Sequence, residues 1–287
     1  MSSELLQPGT VTDQRFHGRR FVVCWLVLSA LMMPLLWYLG PRQPPGHATV
    51  QSSEQVFDNT VLIAVVTPVL VFVVLFVVYI LVAFRAGAET AGDGPADRGS
   101  HGIQVLWIVA TTAVMCGLGA FGSYELVKDG AGGGQGPSAA FLPAGHAHAL
   151  SVQVIAQQWQ FTYRYPTYGG VETPQLELPA DTLIEFHVTS LDVVHSFWAY
   201  QLSVKADANP GSDNIAFAQL KGPQSFQIRC AEVCGLWHGY MFDTGQVVPR
   251  TQFVAWIARE RKLYAPVERY LPPYATSYLP EPVDRGG

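Results

Sequence analysis

Hydrophobic residues fill 49% of this 287-residue chain and charged residues only 14%, well below the ~25% charged that is usual for soluble domains. A formal net charge of −5 excludes nucleic acid as a partner, since that needs a basic face. The apolar excess is gathered in three runs near the N-terminus. The expected fold is therefore a membrane protein, with N-terminal transmembrane α-helices followed by an all-β sandwich.

Residues 1–20 carry Arg15, Arg19 and Arg20 and read as a cytoplasmic N-terminal segment. The run 21–40 is either a signal peptide or the first membrane helix. Its arginines suit an n-region, but its apolar stretch exceeds the usual 7–15 residues. Gly46-His47-Ala48 offers a small-x-small cleavage pattern some way downstream. The runs 58–84 and 103–124 reach the roughly 20 residues a helix needs to cross a bilayer. Pro68 in the first of these is tolerated where neighbouring groups satisfy the freed backbone. The glycines and threonines of the second suit a helix packed on others. Cys24 and Cys116 fall inside apolar runs and read as small hydrophobes. Arg85 and Arg98 join the N-terminal arginines on the cytoplasmic side, which places everything after about residue 127 outside the cytoplasm.

Residues 129–148 are rich in Gly, Ala and Pro and read as a linker. Residues 149–261 then turn to short alternating runs. Ser151 to Ile155, Phe161 to Tyr165, Leu183 to Val188 and Gln246 to Trp256 read as strands. Turns fall at Pro166 to Gly170, Pro179 to Asp181 and Asn209 to Asp213. Many short strands with Gly/Pro turns predict an antiparallel sandwich. The Pro- and Tyr-rich residues 262–287 read as a C-terminal tail that wraps the domain or a partner.

The chemistry lies in Cys230-Ala-Glu-Val-Cys234-Gly-Leu-Trp-His238-Gly-Tyr-Met241. Soft sulfur donors with imidazole select copper over hard cations. Structural zinc sites use paired cysteines without methionine, and a mononuclear blue-copper site uses one cysteine and two histidines. Two thiolates can instead bridge two copper ions, each capped by one histidine. The second histidine must come from elsewhere. His195, after a predicted strand, is the candidate, and His187 is a rival that looks like an ordinary strand residue. The cysteine pair taken alone also allows a disulfide or a redox-active dithiol.

The pattern C-x-E-x-C-x3-H-x2-M, with Asp192-Val-Val-His195-Ser196 upstream, resembles subunit II of cytochrome c oxidase, in the haem–copper respiratory oxidase family. The likeness runs from the paired helices to residue 258. It implies a cupredoxin-like domain with a dinuclear copper centre (CuA) and a multi-pass chain in the bacterial plasma membrane, its copper domain extracytoplasmic. By matching position, Cys230 and Cys234 would bridge the coppers, and His195 and His238 would each cap one. Met241 and the Glu232 carbonyl would complete the shells, and the Glu232 carboxylate would reach a magnesium ion at the boundary with the catalytic subunit. The run Gln158-Trp159-Gln-Phe-Thr-Tyr-Arg-Tyr165 resembles the family's aromatic stretch, which implies that Trp159 receives electrons from docked cytochrome c. Lys205, Asp207, Pro210 and Gly211 match a further family run at the subunit contact. Implied partners are oxidase subunits I and III, cytochrome c or a cytochrome c domain, and membrane lipid. The implied reaction of the complex is O2 reduction coupled to proton pumping.

Departures from the family are also present. Gln104 stands where the second helix usually has a glutamate, with His101 nearby. Phe161, Tyr200, Ser203, Ser212 and Ile228 replace usual residues, and Leu191 takes an often acidic position. Residues 129–258 hold 10 acidic and 5 basic side chains, a balance that would steer a basic donor. The alternative function is a membrane-anchored copper-delivery or thiol-redox assembly factor. Those proteins share C-x3-C but place it early, at a helix start. Quinol oxidase subunits lose the copper ligands that this chain keeps, and nitrous oxide reductase lacks these helices.

Overall fold

Helix α1 (Val11–Leu39), helix α2 (Val50–Ala83) and helix α3 (His101–Lys128) precede the β-domain. The computed structural model describes residues 11–83, 99–128, 145–268 and 270. Residues 1–10, Arg85, Arg98, most of the glycine-rich linker and most of the tail lie outside the described residues. The chain divides into two compact units.

The first unit holds α1, most of α2 and the first part of α3. All three helices are long and apolar enough to cross a membrane, with outward rows such as Leu70, Val74 and Leu81 exposed. The rings of Phe21 and Trp25 on α1 meet Phe72 of α2 edge-on. Trp25 donates its indole N–H to the Pro68 carbonyl at 2.8 Å, and His17 meets the Tyr79 hydroxyl at 2.7 Å. The 21–40 run is thus the later part of a longer helix that docks on α2.

The second unit contains the β-domain together with Gln43–Val56. Helix α2 starts eight residues before the expected 58 because Thr49 and Ser52 cap it. Each side-chain oxygen accepts the other's backbone N–H at 2.9 Å, a reciprocal N-terminal cap. Thr49 also bridges Leu220, and the buried Ala48 accepts from Lys221 N at 3.1 Å. The Gly46-His47-Ala48 run is therefore joined to the sandwich.

The sandwich has two five-stranded sheets. One runs in the order β3 (Val171–Thr173), β2 (Gln160–Tyr165), β1 (Leu150–Gln157), β5 (Leu183–Ser190), β8 (Asn214–Gln219). The other runs β4 (Glu177–Pro179), β10 (Phe242–Val248), β9 (Gln224–Cys230), β6 (His195–Ala199), β7 (Val204–Ala208). Alternation sets the inner faces. Val152, Val154, Tyr163, Tyr165 and Phe186 from the first sheet meet Phe197, Phe226 and Ile228 from the second in one buried core. Gly245 is obligatory opposite Phe226, whose ring would lie 2.1 Å from an added Cβ. The expected antiparallel sandwich is corrected to a mixed one, because β1 pairs β5 and β4 pairs β10 in parallel.

A second correction concerns the end of the domain. The strand expected over Gln246 to Trp256 stops at Val248, and Arg250–Glu268 form helix α4. Pro249 breaks the ladder. Phe253, Trp256 and Ile257, spaced i, i+3, i+4, are the buried face. Tyr165 receives the rings of both Phe253 and Trp256. The tail expected from Lys262 therefore begins inside this helix.

Candidate metal centre

The loop from β9 to β10 begins as Cys230 leaves its ladder. Phe197 of β6 is the registered partner of Cys230, so the start of β6 lies beside the loop. That neighbour relation carries His195, distant in sequence, to the cysteines.

The two sulfurs lie 3.7 Å apart, far beyond the ~2.05 Å of a disulfide, and both cysteines are free. His195 Nδ1 stands 3.8 Å from Cys230 Sγ and His238 Nδ1 3.5 Å from Cys234 Sγ. Met241 Sδ lies 3.8 Å from Cys234 Sγ, and the Glu232 carbonyl 3.2 Å from Cys230 Sγ. His195, Cys230 and Cys234 offer ligand atoms within 4.8 Å of one another. His238 is outside that set and lies beside Cys234. The cysteines, His195 and Met241 are buried, whereas the Glu232 side chain is exposed.

Burial, then the neighbouring Cys230 sulfur, pushes the Cys234 thiol up to about 12. Two thiolates cannot share this space without a cation between them, and a soft metal supplies that charge. The donor set of two sulfurs, two imidazoles and a thioether fits copper.

Sequence reasoning gave Asp192 no role, yet it holds the site's geometry. Its Oδ1 accepts from His195 Nε2 at 2.8 Å, which turns Nδ1 toward Cys230 and sets the tautomer. Its Oδ2 accepts from Gln158 N at 2.7 Å. Partial burial works against ionisation, but the Gln158 N–H, His195 and the Val193 N–H hold the carboxyl below its usual range. The available signal was an acid three residues before the chosen histidine. Trp159, on the β1–β2 turn, donates its indole N–H to the Cys234 carbonyl at 3.0 Å.

His187, the rival, is a strand residue as expected, and carries carboxylate partners the sequence did not foretell. It lies on the outer face of β5, buried, 2.7 Å from Asp213 and 3.7 Å from Glu185. It takes no part in the sulfur cluster. Gln104 and His101 lie on α3, and Lys205 and Asp207 on β7.

The family profile for the periplasmic domain of cytochrome c oxidase subunit II matches residues 173–248. A probable cytochrome c oxidase subunit 2 of Rickettsia bellii is 25% identical over 255 residues, covering 81% of this chain and 87% of its own. The cytochrome c oxidase subunit 2 of Synechocystis is 25% identical over 277 residues, covering 83% and 82%. Among solved structures, the periplasmic domain of subunit II of cytochrome oxidase from Bradyrhizobium japonicum is 27% identical, with TM-score 0.39, covering 40% of this chain and 95% of its own.

Proposed function

Starting from a chain that belongs to the cytochrome c oxidase subunit II family, and so is a component of an oxidoreductase complex, we propose that its metal centre is a dinuclear copper relay. The relay would accept electrons from a cytochrome c and pass them to the haem–copper catalytic subunit. The observation that carries this reading is the flanking arrangement: two sulfurs 3.7 Å apart with a separate imidazole beside each. A single tetrahedral ion would draw both imidazoles to one point.

Cys230 and Cys234 would bridge the metals, His195 and His238 would cap them, and Met241 and the Glu232 carbonyl would complete the shells. A copper pair bound there supplies a one-electron couple shared between two ions. The protein's part is rigidity. Asp192 fixes the His195 ring, and the β9–β6 ladder fixes the Cys230 backbone, so the ligands have little room to rearrange as charge changes. Trp159, bonded to the Cys234 carbonyl, offers an aromatic bridge from the surface to a ligand residue. The exposed Glu232 carboxylate supplies one hard oxygen, which suits magnesium when a neighbouring subunit brings the remaining ligands. Oxygen chemistry and proton pumping belong to subunit I in this reading, with subunit III as a further partner and a bacterial plasma membrane as the setting. A copper-delivery or thiol-redox role gains no support from the fold, where the cysteine loop joins two strands late in the domain.

Electron paramagnetic resonance of the copper-loaded chain tests the centre. A seven-line mixed-valence pattern is expected, and a four-line mononuclear signal would reject it. Trp159→Phe should slow electron transfer from reduced cytochrome c at least severalfold while leaving that pattern intact. Unchanged transfer would remove Trp159 from the route.

A further inference from the structure

The Cys234 carbonyl accepts two hydrogen bonds from consecutive residues of the β1–β2 turn. Gln158 Nε2 donates at 2.8 Å and Trp159 Nε1 at 3.0 Å. A carbonyl has two lone pairs and no proton, so the pair saturates it, and only the nitrogen end of the Gln158 amide can face it. Gln158 is held from its other side as well, because its backbone N–H is bound by Asp192 Oδ2 at 2.7 Å. The other oxygen of that carboxylate holds His195. One chain of hydrogen bonds therefore runs from His195 through Asp192, Gln158 and the Cys234 carbonyl to the Trp159 indole.

An independent feature makes room for these bonds. Gly235 follows Cys234 with φ +109, and an added Cβ there would lie 3.0 Å from Gln158 Nε2 and 3.3 Å from Trp159 Cζ2. Only glycine adopts that backbone freely, and an added Cβ would crowd the Gln158 amide and the Trp159 ring. Gln158 itself is exposed. Its side chain fills no core, and its structural task is the bond to the loop carbonyl.

We propose that Gln158 is a positioning residue for electron arrival: clamped by Asp192, it holds the β1–β2 turn on the Cys234 carbonyl so that the Trp159 indole keeps its contact with the metal loop. The proposal rests on the reading of Trp159 as the residue where electrons arrive. Without the Gln158 amide, Trp159 keeps one bond but loses the partner that fixes the turn. The bonded orientation is then populated less, by roughly five- to tenfold, the weight of one ordinary hydrogen bond.

The test is a double-mutant cycle in the assembled oxidase, with a reduced soluble c-type cytochrome as donor and stopped-flow detection of metal reduction. Gln158→Ala should slow reduction about five- to tenfold with the resonance pattern of the metals unchanged. Gln158→Ala in a Trp159→Phe background should add no further loss, because both act through one contact. Independent, multiplying losses would overturn the proposal, as would a Gln158→Ala rate equal to that of the unaltered chain. A changed metal spectrum in Gln158→Ala would also overturn it, by assigning the residue to the metal rather than to the tryptophan. If Trp159→Phe alone transfers at full rate, the underlying reading of Trp159 fails. Slow Trp159→Phe beside normal Gln158→Ala sinks only the clamp.

Discussion

The residues proposed to bind metal announce themselves through chemistry, whereas those that orient them become visible only when the chain folds. Cys230, Cys234, His238 and Met241 share twelve positions, so their donor character could be read directly. His195 needed the pairing of β6 with β9, and Asp192 needed the turn that returns its carboxylate to the ring three residues on. Asp192→Ala should lower copper affinity ten- to a hundredfold, the usual cost of losing a group that orients a ligand. Competition against a calibrated chelator would measure it, and wild-type affinity would show that His195 needs no orienting partner. His187 shows the same blindness in part, since Glu185 stands two residues before it but nothing local foretold Asp213. Burial alone would depress its pKa, but Asp213, then Glu185, hold it up to about 9. A histidine raised from 6.5 stabilises the fold fully below pH 6.5, and that contribution is lost as pH rises through 9. The β-domain should lose about 3 kcal/mol between those limits, read from urea midpoints. Asp213→Asn should flatten the decline, and an equally steep decline in that variant would acquit the pair.

Strands and membrane helices were largely legible because each repeats one period over its whole length. The junction after β10 was not. Val247 and Val248 carry β-branched character up to Pro249, and Phe253, Val254 and Trp256 prolong the impression of a strand. The deciding period, Phe253 to Trp256 to Ile257, is three contacts long and competes with that propensity. Parallel pairing was equally hidden, since β1 and β5 meet across more than twenty intervening residues and alternation does not encode direction. Helix α4 is held by its aromatic face on Tyr165 and Tyr168. Trp256 is 1% exposed, so Trp256→Ala should cost about 3–5 kcal/mol. Thermal unfolding would show the loss, and trypsin should then cut at Arg259 and Arg261 faster than in the parent. A variant as stable and as resistant as the parent would mean that the helix docks without its largest side chain.

At the scale of the molecule, the orientation read from arginines meets an independent geometric argument. Gln43–Val56 belong to the β-domain's unit, bonded through Ala48, Thr49 and Gln51. Lys128 at the end of α3 reaches Glu54 near the start of α2 at 3.8 Å. That ion pair is exposed and contributes little energy, but it shows which helix ends are neighbours. The start of α2 and the end of α3 therefore meet within the β-domain's unit. In sequence, Arg85 and Arg98 fall between α2 and α3, where the positive-inside rule expects a cytoplasmic loop. In a chain with Cys24 and Cys116 changed to serine, Ser212→Cys on the β-domain should react with a membrane-impermeant maleimide in intact cells. Ser100→Cys, at the start of α3, should react only after the membrane is opened. Equal labelling of the two in sealed cells would contradict a helical hairpin that leaves and returns on one face, and with it the placement of the metal loop where an extracytoplasmic donor could reach it.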